Sequence, residues 1–169
     1  AEAVLASGIK ANLSRSLVSF DPAVDMAKEQ RTVEAVRLAE WYHGCDEGRL
    51  LVDFSLHAEY TNVPKDCEYV AELARRFKTG MQLHLSETER EHRECMERWG
   101  KTPTEFFRDT GVLEVPTTAA HCVWVTDSDI EILRDKGVTV AHNPVSNLKL
   151  GSGVAPLRKL LDAGVNVAL

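Results

Sequence analysis

The chain alternates short apolar runs with longer segments that have the periodicity of amphipathic helices. Strand-like stretches begin at Ile9 and at Val165, and four further runs are each followed directly by a helical segment: Leu50 to Ser55, Met81 to Leu85, Thr117 to Val123 and Val138 to Ala141. Strands with little polar alternation, each followed by a helix, are typical of a parallel sheet buried on both faces. The order therefore predicts an α/β fold.

Two helical segments show the pattern clearly. Residues Asp25 to His43 carry apolar side chains at helical spacing, and residues Asp127 to Lys136 do so behind a capping residue, Thr126 or Asp127. We expect one helix in each of these ranges.

Repeated βα order suits either an open doubly wound sheet or a closed (β/α)8 barrel, which needs about 250 residues. No G-x-G-x-x-G motif follows an early strand, and Gly151-Ser152-Gly153 lacks the lysine of a phosphate-binding loop. The nucleotide-binding version is therefore disfavoured. Because the chain has 169 residues, we expect a partial barrel of parallel strands alternating with helices.

Charge and cysteine usage bear on partners and compartment. The net charge is −6 and the basic residues are scattered, so no positive surface would attract nucleic acid. The four cysteines lie far apart without a C-x-x-C pair, which is typical of a reduced, cytoplasmic protein. No apolar run approaches the roughly 20 residues that a bilayer requires, so we expect no membrane partner.

Histidines fall at the ends of four successive predicted strands. They are His57, His84, His121 and His142. The carboxyl ends of barrel strands share one rim, where the active sites of such folds lie, so we expect these imidazoles to face one cavity. His142 precedes an Asn-Pro turn and is expected mainly to shape a loop.

The residues around His84 suit a metal ligand followed by an acid-base group. A neutral imidazole is a good zinc or iron ligand, and the carboxylate of Glu87 could carry the proton of a water that the metal acidifies. His121 could hold the same water. Each residue also has a structural interpretation, Glu87 in the acidic first turn of a helix and His121 in the core.

Other histidines and a charged run are expected to have no part in the site. His43 and His92 lie within predicted helices, and the run Glu89 to Glu94 has the composition of a solvated helix face. Cys122 is expected to be a small buried residue rather than a nucleophile.

Three strings of residues together resemble the amidohydrolase superfamily. They are Leu83-His84-Leu85-Ser86-Glu87-Thr88, Ala120-His121-Cys122 and His142-Asn143-Pro144-Val145-Ser146-Asn147-Leu148-Lys149-Leu150-Gly151-Ser152-Gly153. The resemblance is to the subgroup of methylthioadenosine and S-adenosylhomocysteine deaminases. It implies a (β/α)8 barrel with one divalent metal, zinc or iron, held by an H-x-H pair from strand 1, a histidine from strand 5 and an aspartate from strand 8.

The resemblance also implies roles for single residues. His84 would be the strand 5 metal ligand, Glu87 would move protons between the hydrolytic water and the purine, and His121 would position that water. The reaction implied is hydrolytic deamination of an adenine-type nucleoside.

Substrate contacts are implied for His57, Arg15 and Arg31. Arg15 corresponds to an arginine that follows strand 3, and Arg31 matches a second arginine only if one residue is deleted nearby. The partner would be a small purine nucleoside or a related heterocycle.

The sequence departs from the family pattern at the metal site. It contains no H-x-H, and it stops at Leu169 where the family continues into Gly-Thr-Asp. Three of the four implied protein ligands are therefore missing, and we expect residues 1–169 to form one incomplete barrel domain, about strands 3 to 8, that is inactive alone. Its open edges should be covered by further sequence or by other copies in a homo-oligomer.

Two alternatives stay open. The same machinery serves relatives that act on guanine, oxidised guanine or a chlorinated triazine. A segment without its metal ligands is also compatible with a non-catalytic interaction module that pairs through its sheet edges.

Overall fold

Six parallel strands form one sheet in which each strand lies beside its neighbours in sequence. The structure is a computed structural model that describes residues 1–169. The strands are β1 (Ala11–Leu17), β2 (Leu50–Leu56), β3 (Met81–Leu85), β4 (Thr117–His121), β5 (Thr139–Ala141) and β6 (Asn166–Ala168), in the spatial order β1-β2-β3-β4-β5-β6. This is the order of successive strands in a (β/α)8 barrel.

One helix precedes the first strand, and the others lie between successive strands. The helices are α1 (Glu2–Ser7), α2 (Gln30–Tyr42), α3 (Cys45–Gly48), α4 (Pro64–Phe77), α5 (Glu89–Trp99), α6 (Pro103–Asp109), α7 (Asp127–Asp135), α8 (Pro144–Lys149) and α9 (Leu157–Asp162). Short 3₁₀ turns lie at Met26–Lys28, Glu59–Thr61 and Val112–Glu114. None of the helices combines the length and the apolar character that crossing a bilayer requires.

The core lies between the sheet and its helices. On β3, Met81, Leu83 and Leu85 are buried against this layer, whereas the intervening Gln82 and His84 are half-buried on the opposite face. That second face is polar and borders a cavity of about 270 Å³, lined in part by Ser14, Ser16, Gln82, His84 and Thr118. The expectation of burial on both faces is therefore wrong for these residues, because the inner face carries polar side chains.

Two predicted boundaries are corrected. The range Asp25 to His43 is not one helix, because Glu29 is extended (φ −62°, ψ 134°) and separates the 3₁₀ turn from α2. Strand β4 ends at His121 rather than Val123. His121 and Cys122 have φ values of 75° and 50°, which are incompatible with the extended backbone of a strand. The helix behind Thr126 is confirmed, with the Thr126 hydroxyl accepting a hydrogen bond from the Asp129 amide.

Candidate active site

Three imidazoles form a row along the carboxyl ends of β2, β3 and β4. The ring centroids of His57 and His84 are 5.0 Å apart, and those of His84 and His121 are 5.4 Å apart. His142 follows β5 and shares with His121 the lining of a neighbouring cavity of about 730 Å³. The fold thus brings histidines that are far apart in sequence to one rim.

The orientation of His84 suits a metal ligand. Its Nδ1 lies 2.7 Å from the carbonyl oxygen of His57. A carbonyl oxygen can only accept, so Nδ1 carries the proton and the lone pair of Nε2 is free. Metal-binding histidines are commonly held in this way by a second hydrogen bond.

The rest of a metal centre is not assembled within these residues. No group of three or more His, Cys, Asp or Glu side chains is arranged to hold a metal ion. Catalytic zinc sites generally use three protein ligands or more, so His84 fits as one ligand of a site whose other ligands residues 1–169 do not supply.

His121 departs from the alternation of its strand. In the register of β3 and β4 it lies beside Leu85, which faces the core, yet its ring stacks on His84 at an interplanar angle of 29°. The positive φ of His121 breaks the alternation and permits this contact. Left-handed backbone is costly for a non-glycine residue and is often found at functional sites.

Backbone hydrogen bonds hold this strained turn in place. Ser86 also has a positive φ, 46°, and its carbonyl accepts from the amides of Val123 and Trp124 at 3.1 and 2.9 Å. The amide of Cys122 donates to the carbonyl of Leu85 at 2.9 Å. The ends of β3 and β4 therefore stabilise each other's unusual conformations.

Glu87 projects toward His121 from the turn after β3. Its Oε2 lies 3.6 Å from His121 Nε2, and its Oε1 accepts a hydrogen bond from the Ser152 hydroxyl at 3.2 Å. His121 Nδ1 is 2.7 Å from Asn147 Oδ1. The structure thus brings together His84, Glu87 and His121, which the sequence singled out, and adds Asn147 and Ser152, to which it assigned no role.

Glu91 was missed, and its prediction as part of a solvated face is wrong. Its carboxylate is buried and accepts from the backbone amides of Ser86 and Glu87 at 2.8 and 2.7 Å. Burial raises the pKa of Glu91, while these amides and that of Thr88 oppose the rise. The Thr88-x-x-Glu91 spacing of a helix cap was a usable signal, because such a glutamate reaches back to amides before the helix.

His57 lies beside His84, at the carboxyl end of β2. Its ring makes an edge contact with Tyr60 at a centroid distance of 5.8 Å. Burial, and then the neighbouring His84, lower the pKa of His57, while Glu87 opposes this. A neutral imidazole here can donate to or accept from a heterocycle.

The two arginines lie outside the cluster. Arg15 is within β1, not after it, and its even-numbered neighbours Ser14 and Ser16 face the cavity beside His84. Its side chain therefore points the other way, and its Nε donates to Glu34 of α2 at 2.8 Å. Arg31 is exposed in the first turn of α2. Their substrate contacts stay a prediction.

A segment of parallel (β/α) barrel with imidazoles and a carboxylate at its strand ends defines the class as a partial (β/α)8 barrel with a candidate active site at its rim. The model of the amidohydrolase family matches residues 1–169. The chain belongs to the amidohydrolase family.

Individual relatives agree with this membership. The chain is 43% identical over 162 residues, 96% of its length, to a 5-methylthioadenosine/S-adenosylhomocysteine deaminase of Caldanaerobacter subterraneus subsp. tengcongensis. It is 41% identical over its full length to a 5'-deoxyadenosine deaminase of Methanosarcina mazei. A solved adenosine deaminase from Xanthomonas campestris with bound zinc superposes on 99% of the chain with a TM-score of 0.89 at 28% identity. The chain spans 37%, 39% and 38% of these three proteins, respectively.

Proposed function

We propose that residues 1–169 are the segment of a metal-dependent deaminase that carries one metal ligand and the proton-transfer groups, and that the whole enzyme deaminates an adenine-type nucleoside. The observation that carries this proposal is the approach of Glu87 Oε2 to within 3.6 Å of His121 Nε2, beside the free nitrogen of His84.

The reaction replaces the amino group at C6 of adenine with oxygen from water. One bond forms between the water oxygen and C6, and the bond between C6 and nitrogen breaks to release ammonia. Glu87 takes one proton from the water and delivers it to the ring nitrogen N1. It then moves the second proton of the water to the amino group, which leaves as ammonia, while C6 becomes a carbonyl carbon and N1 keeps the first proton. His121 holds the same water through Nε2.

His84 would hold the divalent metal together with ligands outside residues 1–169. The bound metal would lower the pKa of the attacking water. Zinc is proposed because a relative that shares this fold contains it. His57 is proposed to contact the purine, since it lies 5.0 Å from the ring of His84 on the side away from His121. For Arg15 and Arg31 the proposed substrate contact is supported by the family resemblance alone.

The test is ammonia release by the zinc-loaded full-length enzyme that carries this segment. S-adenosylhomocysteine, methylthioadenosine, 5'-deoxyadenosine and guanine should be compared at equal concentration. We expect release from the adenine compounds and little from guanine. Release from guanine alone would overturn the proposed substrate class, and a full-length protein that binds no metal would favour the interaction module.

A further inference from the structure

The segment after β5 contacts both groups to which the proposed function assigns proton transfer. It runs from Asn143 through α8 to Gly153, and the buried side chains of Asn147 and Ser152 point back toward the row of histidines. Neither residue contacts Glu87 Oε2 or His121 Nε2, the two atoms that face each other. Asn147 contacts His121 at Nδ1, and Ser152 contacts Glu87 at Oε1.

Asn147 determines which nitrogen of His121 carries a proton. Its amide oxygen lies 2.7 Å from Nδ1, and because this oxygen only accepts, Nδ1 must be protonated in the neutral ring. Nε2, which faces Glu87 Oε2 at 3.6 Å, then presents a lone pair. Because the carboxylate also only accepts, the water of the proposed reaction would satisfy both atoms by donating one hydrogen bond to each. The other tautomer would place a proton on Nε2 and leave two acceptors facing each other at Nδ1.

Ser152 restrains the orientation of the Glu87 carboxylate. Its hydroxyl donates to Oε1 at 3.2 Å, which leaves Oε2 directed toward His121. The Ser152 carbonyl accepts from the indole N–H of Trp124 at 2.8 Å. A Cβ added to Gly153, whose φ is 117°, would lie 3.1 Å from a methyl carbon of Val123, so the loop packs closely on the turn after β4.

We infer that Asn147 and Ser152 are positioning residues for the deamination: Asn147 selects the Nδ1-protonated tautomer of His121, and Ser152 selects the oxygen of Glu87 that transfers the proton. This inference rests on the proposed function for its kinetic consequence. The hydrogen-bond geometry itself is independent of it. Removing the outer partners of metal ligands in other enzymes costs about 10 to 100-fold in metal affinity or activity, and we expect a loss of this order in activity here.

The kinetic test compares Ser152→Ala with Ser152→Thr in the zinc-loaded full-length enzyme. Loss of the hydroxyl should lower kcat about 10 to 100-fold with KM, zinc content and Tm unchanged, and threonine should restore most of kcat. Trp124→Phe, which removes the anchoring N–H together with part of the ring system, should lower kcat by a smaller factor. Ser128→Ala, which removes an exposed hydroxyl on α7 that contacts Thr126, is the control and should match the wild type.

Two outcomes would overturn the role of Ser152. One is a Ser152→Ala enzyme whose kcat lies within twofold of the wild type, and the other is a failure of threonine to restore activity.

The test of Asn147 needs no substrate. Nitrogen-15 NMR of histidine-labelled full-length protein should show His121 protonated at Nδ1, and Asn147→Leu should shift the ring toward the Nε2-protonated form. A wild-type ring protonated at Nε2 would overturn the role of Asn147. If the wild type released no ammonia but His121 were protonated at Nδ1, the proposed function would fail while the assigned contact held.

Discussion

Glu87 and His121 illustrate how much of this site is decided by single hydrogen bonds. Each side chain has one atom engaged on its far side, by Ser152 or Asn147, and one atom directed toward the other group. Neither Ser152 nor Asn147 is close to Glu87 or His121 in sequence. Orientation of the atoms proposed to react therefore depends on a loop that is not itself proposed to react.

Replacing Glu87 by glutamine should separate metal binding from turnover. Glutamine keeps the size of the side chain but cannot accept and release a proton, so we expect a loss of about 10² to 10⁴-fold in kcat with zinc content unchanged. Steady-state ammonia release and elemental analysis of the full-length enzyme would measure both. The matched control is Glu89→Gln, an exposed glutamate two residues later in the first turn of α5. Retained turnover in Glu87→Gln would remove this residue from the mechanism.

Glu59 is a second buried carboxylate near the rim, and it has a structural role. It is fully buried on the turn after β2, and its Oε1 accepts from Arg98 of α5 at 2.6 Å. Burial raises the pKa of Glu59 from 4.5 to about 7, and Arg98 only partly opposes this. The folded protein therefore holds a proton that the unfolded chain releases.

This proton makes stability depend on pH. Between pH 4.5 and about 7 the folded state binds the proton more tightly than the unfolded state, so the contribution of Glu59 to the free energy of unfolding falls as pH rises. The slope is at most about 1.4 kcal/mol per pH unit. Urea denaturation of wild type and Glu59→Gln across this range should show the difference in unfolding free energy declining with pH. Glu97→Gln, on the exposed side of α5, should show no such trend.

Among the helices, α6 and α7 are joined by one buried carboxylate. Asp129 accepts from the Thr102 hydroxyl at 2.5 Å, from the Thr126 amide at 2.8 Å and from the Thr126 hydroxyl at 2.8 Å. It thus links the first turn of α6 to the first turn of α7. Helix capping and tertiary packing depend here on the same side chain.

Removing this link should destabilise the protein markedly. Asp129→Ala leaves the buried Thr102 hydroxyl and the part-buried Thr126 amide without an acceptor, and we expect a loss of about 2 to 4 kcal/mol in the free energy of unfolding. Asp127→Ala, two residues earlier on the exposed side of α7, should cost much less, since its ion pair with Lys159 is exposed. Chemical denaturation of both variants would check the order, and equal losses would contradict it.

The order of the elements was predictable from the sequence, whereas the details of the strand ends were not. Apolar runs and helical periodicity located all six strands, and the bounds of β3 were predicted residue for residue, because the apolar residues Met81 and Leu85 mark both of its ends. The left-handed conformations of Ser86, His121 and Cys122 depend on hydrogen bonds between neighbouring strands. The roles of Asn147 and Ser152 depend on a contact across the sheet, which no local pattern encodes.

At the scale of the whole molecule, the sheet has two free edges. Strand β1 pairs only with β2, and β6 pairs only with β5. Unpaired edges offer rows of amide and carbonyl groups to other strands. In a complete barrel these two edges would be joined through further strands.

Residues 1–169 expressed alone should therefore associate. Light scattering should give a mass above 18.8 kDa. Ala168→Lys places a charge on the β6 edge and should lower the associated mass, because edge lysines oppose strand pairing. Val154→Lys, at an exposed apolar position outside the sheet, is the control. A monomeric wild type would contradict this prediction.

The left-handed backbone at Ser86 and Cys122 has a consequence for engineering. Glycine adopts such conformations at less cost than serine or cysteine, so a glycine at either position would relieve backbone strain but lose the packing of a fully buried side chain. Both positions adjoin proposed catalytic residues, Ser86 next to Glu87 and Cys122 next to His121. A glycine there would also give more conformational freedom to the backbone beside Glu87 and His121, so the thermal stability and the turnover of such variants would need to be measured separately.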